Sequence, residues 1–430
     1  MSTLGRRIEP FRGLLYNRSK CGDLSAVVAP PYDLIGPEQQ NRLYARSPYN
    51  VVRLELNRDA DRYESSAKTL KRWLDERVLE RAAVPAIYLY SEIFELDGRR
   101  LNRDGWIVTI RLEEFSKERI SPHERTFSGP KEDRLRLLSA TATNMSSIFG
   151  LYSGSHPEVA ALRERASTRA PLIEVTDDLG IVHRLRAIEH PSEIDLVQRA
   201  LNDSRILIAD GHHRYETALN YSRRMRSAEN NPDALQPYDY TMMTLTACDD
   251  PGLVILPTHR VVKHLAPSSL KAFPERAGEL FGIEEVDDRD ALRARLKSAG
   301  HGGIAVALQG DAKLRLLRLK NAGAMASLAP DLPPAIRELD VSLLHGIVFN
   351  RLLGLAEAEI KAGGNIEYTI DADAALAAVA GGQASGAFLL NPPSVNDVER
   401  VSDAGATMPE KSTYFFPKLL TGLVMNPLSD

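Results

Sequence analysis

The chain has 430 residues, 43% apolar and 26% charged, with a formal net charge of -4, which implies about two or three packed units of roughly 100–200 residues each. Cys21 and Cys248 stand far apart and outside any CxxC or Cys/His cluster; this excludes a disulfide scaffold and a zinc ribbon and leaves both as small apolar residues. Charges of both signs are interspersed, no apolar run reaches the roughly 18–20 residues of a membrane span, and Met1 to Tyr16 has no apolar signal segment, so a cytoplasmic protein with neither membrane nor nucleic acid as partner is expected.

Taken in chain order, β-branched and alternating runs predict strands at Ala26–Ala29, Val51–Leu56, Ala86–Ile93 and Trp106–Leu112. The last two flank Asp97-Gly98, a hairpin signal with a connection longer than two residues. Tyr63, Ala67, Leu70, Leu74 and Val78 form one apolar helical stripe. A helix over about 131–142 follows, then strands at Ile148–Tyr152, Leu172–Val175 and Ile181–Leu185. Arg205–Ala209 reads as a short buried strand and 211–225 as a helix. Beyond Pro257-Thr-His-Arg260 the texture changes, with helices over 268–281 and 289–298. Strands at Ile304–Leu308 and Leu314–Leu319, a helix near Asp340–Leu353 and a strand at Ala387–Asn391 come next, with Tyr414–Phe416 as a buried strand. Strands alternating with helices give an α/β (α+β mixed) class. The expected division is residues 1–265, an α/β region carrying the site, and 266–430, an additional α/β region contributing the Lys411-Ser-Thr segment.

The densest chemistry lies in Arg205-Ile-Leu-Ile-Ala-Asp210-Gly-His-His-Arg214. A strand ends in Asp210, Gly211 permits a tight turn and close approach to the backbone, and a helix begins whose free N–H groups and dipole favour an anion. Arg214 offers a planar fork for phosphate oxygens. His212 and His213 add donors adjustable near neutral pH. Asp210 would cap the helix, hold a histidine tautomer or bind Mg2+. A capped turn with surface histidines is the bland alternative, and the density of functional side chains weighs against it.

Other blocks offer further groups. His123-Glu-Arg-Thr126 and Lys131-Glu-Asp-Arg134 supply Glu124 as a candidate base, His123 as an acid or tautomer holder, and Arg125 and Arg134 for phosphate; a charge-rich solvated loop is the rival reading. Val28-Ala-Pro-Pro-Tyr-Asp33 is a proline-stiffened loop presenting Tyr32 and Asp33, or a structural turn. In Met408-Pro-Glu-Lys-Ser-Thr-Tyr-Phe-Phe-Pro-Lys418, Lys411, Ser412 and Thr413 could reach a phosphate, with a core role as the alternative.

These blocks, together with Asn50-Val-Val-Arg-Leu-Glu55 and with His259 and Arg260 in Pro257-Thr-His-Arg260, resemble end to end a bacterial and archaeal family catalogued as domain of unknown function 1015. The Asp210–Arg214 turn is also similar to the phosphate-binding turn of the ParB/sulfiredoxin-like superfamily, which includes nucleotide-dependent free-serine kinases. Sulfiredoxins carry a nucleophilic Cys in this turn, where this chain has His212 and His213, and no ParB-type helix-turn-helix is evident. The resemblance implies a ParB/sulfiredoxin-like phosphate-binding core and a phosphotransferase moving a phosphoryl group between ATP or ADP, with Mg2+, and a small hydroxyl metabolite such as free serine. In that reading Glu124 is the base and Lys411 neutralises charge on the moving group. A non-catalytic nucleotide-binding protein, and a metal-dependent phosphoesterase using His212, His213 and Asp210, are the alternatives. Oligomeric state is not legible.

Overall fold

A computed structural model describes residues 5–124, 128–154, 156–228, 234–321, 323–356 and 364–429. The chain forms two compact units. The first comprises residues 1–122, 126–253 and 417–430, and the second residues 123–125 and 254–416. The expected division at 265 therefore differs from the observed one at 253/254, and the last residues rejoin the first unit.

The first unit is built on a nine-stranded mixed sheet. Its strands are β1 (Ile8–Glu9), β2 (Ile87–Leu96), β3 (Arg99–Arg111), β4 (Ile120–Pro122), β5 (Ile148–Tyr152), β6 (Ile173–Thr176), β7 (Val182–Ile188), β8 (Ile206–Asp210) and β9 (Tyr240–Ala247). The order is β4-β8-β5-β9-β3-β2-β7-β6, with β1 on β3. The β4–β8 and β5–β9 pairs are parallel, and the neighbours β8–β5 and β9–β3 are antiparallel. Trp106, Val108, Ile110, Ile148, Ile206 and Ile208 pack from the sheet against Val159, Leu162, Val197 and Leu201. The last four come from helices Pro157–Ser167 and Pro191–Leu201.

Local chemistry explains where expectation and structure part. Strands β2 and β3 extend until Leu96 faces Arg99, so Asp97-Gly98 is a two-residue turn with φ of 50° and 70°. Both positive angles fit the twist of the strands it joins. The expected strand at Val51–Leu56 is instead a short helix, α1 (Val52–Glu55). Asn50 accepts from the Val52 N–H at 3.0 Å and donates to the Ala26 and Val28 carbonyls, so its side chain starts a helix where β-branched residues alone suggest a strand. Of the expected strand Ala26–Ala29, Ala26 closes a 3-10 turn (Leu24–Ala26) and Ala29 makes one isolated bridge, to Thr421. In helix α2 (Arg62–Asp75) the buried face is Ser66, Leu70 and Trp73, and Leu74 of the expected stripe is exposed.

The second unit carries a six-stranded sheet. It consists of β10 (His259–Val262), β11 (Phe281–Val286), β12 (Gly303–Leu308), β13 (Leu314–Leu319), β14 (Ile366–Thr369) and β15 (Gly386–Leu390), in the order β11-β13-β12-β15-β10-β14. Each pair is antiparallel. Helices Pro267–Leu280, Arg289–Ala299 and Ala372–Ala380 accompany it. The expected helix near 340–353 is a short α-helix, Asp340–Leu343, continuing as a π-helix over Leu344–Leu352. Tyr414–Phe416 is a strand paired with Val254–Leu256, and Phe415 is buried. The class is mixed α/β, as the alternation of elements predicts.

Candidate functional site

Four apolar residues, Ile206–Ala209, bury β8 between β4 and β5. The register against β5 shifts between Ile208 and Asp210, a bulge that re-aims the side chain leaving the sheet. Gly211 then turns the chain with φ of 89°, and helix α4 (His212–Ser227) begins. Only glycine adopts that angle without strain. Asp210 does not cap the helix through a later N–H. Its Oδ1 accepts from the Gly211 N–H at 2.7 Å, and its Oδ2 accepts from Lys418 Nζ at 3.0 Å. Burial opposes ionisation of Asp210, but Lys418 and then Arg214 outweigh it and hold the carboxyl well below its ordinary range.

Gly211 serves a different neighbour from the one expected. A Cβ added there would come within 2.8 Å of Arg214 Nη2 and 2.9 Å of its Cζ, so the Arg214 guanidinium itself lies across the glycine, in the space a phosphate was expected to take. Arg214 Nη1 donates to the Ser147 carbonyl, and its closest carboxylate among the described residues is Asp210, 4.0 Å away. A guanidinium has five N–H groups, so donors remain for a ligand. Arg214 also lines a cleft with Arg134, Glu55, Ser146 and Thr217.

Arg134 comes from helix α3 (Ser128–Thr141). Its buried guanidinium bonds to Asp133 and the Glu55 carbonyl and lies 4.1 Å from the centre of the Tyr32 ring. Glu55 Oε1 accepts from Ser146 Oγ at 2.9 Å and stands 3.8 Å from Arg134 Nη1. Burial pushes the Tyr32 hydroxyl up, with Arg214 and Arg134 opposing it, which identifies both guanidinium groups as its electrostatic neighbours. Three blocks distant in sequence, at Tyr32, Arg134 and Arg214, thus meet in the first unit. Asp33 beside them is exposed. His212 is buried on the inner face of α4 with Tyr215 and Ala218, and His213 is half-buried.

The remaining candidates lie in the second unit. His123 Nε2 is 2.8 Å from Thr413 Oγ1, and the Thr413 hydroxyl reaches Glu124 Oε1 at 3.4 Å. With that hydroxyl donating to the carboxylate, His123 is the donor to Thr413. Ser412 is buried and donates to the Pro409 carbonyl, so its hydroxyl is satisfied within its own turn. The Lys411 side chain is exposed, and its carbonyl accepts from Arg260 Nη2 at 3.0 Å. His259 is buried, and its Nδ1 accepts from the Leu390 N–H. Arg125 lies outside the described residues.

The carboxylate expected to hold Mg2+ is engaged by Lys418, and among the described residues no three His, Cys, Asp or Glu side chains gather as a metal-ligand group. Asp210, His212 and His213 therefore do not form the ligand group that the phosphoesterase alternative requires. Lys418, Glu55 and Ser146 were not singled out from sequence. Lys418 and Glu55 each end one of the sequence blocks named above, so the signal for both lies in those blocks.

The family described as "Protein of unknown function (DUF1015)" matches residues 8–342, and the chain belongs to it. A search of curated proteins finds no match. Among solved structures, a free serine kinase in complex with AMP is similar at 12% identity and a TM-score of 0.35, over 72% of this chain and 86% of that one. A conserved hypothetical protein from Pyrococcus furiosus shows 12% identity and a TM-score of 0.32, over 72% and 95%. SbnI with a C-terminal truncation, from Staphylococcus aureus, shows 11% and 0.34, over 75% and 87%. Likeness at that level assigns no role to any residue here. No helix among the described residues is long and apolar enough to cross a membrane.

Proposed function

We propose that the Asp210–Arg214 turn binds the phosphates of ATP or ADP, and that the protein transfers a phosphoryl group to a small hydroxyl compound, free serine being the first candidate. One observation carries the reading. Arg214, in the first turn of α4, with one N–H on the Ser147 carbonyl and its nearest carboxylate among the described residues 4.0 Å away, lines the same cleft as the buried Arg134 of α3. Phosphoryl transfer depends chiefly on positioning and on stabilising charge spread over the equatorial oxygens. The positive end of the helix dipole and the two guanidinium forks suit those oxygens. Lys418 keeps Asp210 ionised and fixes the strand end from which the helix departs.

The acceptor oxygen forms the new P–O bond as the bond to the departing nucleotide breaks, and the hydroxyl proton must pass to a base. The base role expected for Glu124 is a separate part of the proposal with its own test: Glu124→Gln should abolish product while leaving nucleotide binding intact. The main test is thermal unfolding of the full chain with ATP or ADP, followed by mass spectrometry of reactions containing serine. Nucleotide should raise the melting temperature and phosphoserine should form, and Arg214→Ala should remove both effects. No protection by either nucleotide together with no product would sink the reading.

The engagement of Asp210 by Lys418 favours one alternative, nucleotide binding without turnover. Protection by nucleotide with no product, unchanged by Glu124→Gln, would select it.

A further inference from the structure

We propose that an open cleft on the nine-stranded sheet of the first unit, lined by Arg100, Arg184, Arg186, Ser91 and Asn102, binds a phosphate group. The cleft shares no lining residue with the one at Arg214 and Arg134, so its occupant is independent of the phosphoryl-transfer reading. Register brings these side chains together. Arg184 of β7 stands opposite Ser91 of β2, and Ile93 of β2 stands opposite Asn102 of β3. Paired residues share one face of a sheet, as do residues two apart on a strand, so Arg184, Arg186, Ser91 and Asn102 project to the same side. Helix Pro157–Ser167 packs on that face through Val159 and Leu162 and ends at Ser167, which lines the cleft.

Arg186 is 5% exposed, and the groups that hold it are neutral. Its Nε donates to the Arg169 carbonyl at 2.8 Å and its Nη1 to Ser91 Oγ at 3.3 Å. Among the described residues its Nη2 makes no hydrogen bond and no carboxylate forms an ion pair with it. Burial and then the Arg184 charge push its pKa down, and Asp104 and Glu174 oppose them. Both acids are engaged elsewhere. Asp104 accepts from Asn102 Nδ2 at 3.0 Å and faces Arg163 Nε at 3.9 Å, and Glu174 accepts from Arg184 Nε at 2.6 Å. The terminal nitrogens of Arg184 make no hydrogen bond among the described residues, and the exposed Arg100, opposite Glu95, forms no ion pair among them. Three cations thus border a cleft whose lining holds no carboxylate. A charge as buried as Arg186 normally finds a counter-charge, and an anion in the cleft supplies it.

The cleft offers about 390 Å³ of water-accessible space, within the range of small-molecule sites. Three planar forks, with the Ser91 hydroxyl proton, match a dianion carrying three terminal oxygens better than a carboxylate. The same space leaves room for the group to arrive on a small metabolite.

The test is isothermal titration of the full chain with inorganic phosphate, ribose 5-phosphate and sodium acetate, each at equal ionic strength in chloride. Phosphate should bind saturably and about tenfold more tightly than acetate, the worth of one hydrogen bond to a charged group. Tighter binding of ribose 5-phosphate than of phosphate assigns the group to a phosphorylated metabolite, and the reverse order assigns it to the free ion. Arg186→Met should weaken phosphate by about tenfold or more. If that variant does not fold, Arg100→Ala decides: it should leave the urea midpoint unchanged and weaken phosphate severalfold. Arg214→Ala should remove nucleotide protection and leave this binding in place, so the two sites fail separately. The proposal is overturned by absent phosphate binding in the folded wild type, by equal affinity for acetate, or by phosphate binding that Arg100→Ala leaves unchanged.

Discussion

Lys418 Nζ meets Asp210 Oδ2 at 3.0 Å across 208 residues of sequence. That contact ties the end of β8 to the last segment of the chain. It also provides the largest charge opposing the desolvation of Asp210.

Lys418→Met should therefore cost about 1.5–3 kcal/mol at pH 7, the range for a hydrogen bond to a charged group. The folded carboxyl of Asp210 is held below its unfolded value of about 3.9, so its stabilisation is present above that pH and fades as the pH falls further. Urea titrations at pH 7 and pH 3 should show the wild-type advantage shrinking in acid. An equal difference at both values would assign the loss to packing instead.

Gly211→Ala combines two penalties, a φ of 89° and a Cβ within 2.8 Å of Arg214 Nη2. It should destabilise by about 1–2 kcal/mol through backbone strain alone and weaken ATP binding by displacing the guanidinium. Combining it with Arg214→Ala should recover the steric part, so the two changes should be non-additive in melting experiments.

Gly98→Ala is the matched control. Its φ is 70°, yet nothing lies within 4 Å of the added Cβ. The expected loss is about 1–2 kcal/mol from the backbone alone, with ATP affinity unchanged.

His259 and Asp340 should give the second unit opposing pH responses. Burial lowers His259 to about 4, Arg260 adding to the effect, whereas the unfolded group titrates near 6.5. The unfolded state then binds more protons between those values, so stability falls as pH drops from about 6.5 towards 4, by up to roughly 3 kcal/mol. Asp340 titrates in the other sense. Its folded value of about 6 exceeds the unfolded value of about 3.9, so its protonated form is favoured on folding and its contribution is lost as pH rises through 6. Asp340→Asn, which keeps an acceptor for the Gly302 N–H now bonded at 2.7 Å, should stabilise at pH 7.5 and do so less at pH 4. Chemical denaturation across that range checks both signs.

The turn itself was readable in sequence because its signals are local. Ile206–Ala209 is apolar and short, and Asp210-Gly211 interrupts it where the strand ends. The hairpin at Asp97-Gly98 was readable for the same reason. Val52–Glu55 was not, because the side chain that starts this helix, Asn50, is tied to carbonyls at Ala26 and Val28. Sequence does not distinguish Lys411 from Lys418 either. Both are cations in one block, and only the fold exposes the first while bringing the second to Asp210. Likewise, nothing in Glu55 alone marks it as a neighbour of Arg134.

The return of residues 417–430 to the first unit also sets an order of assembly on the ribosome. The sheet strands and the helix after Gly211 emerge early, but the lysine that neutralises Asp210 is synthesised only after the whole intervening unit. A nascent chain stalled at residue 253 would hold the turn without Lys418, its acid opposed chiefly by Arg214, so this corner of the molecule reaches its final electrostatic state only after the second unit has been made.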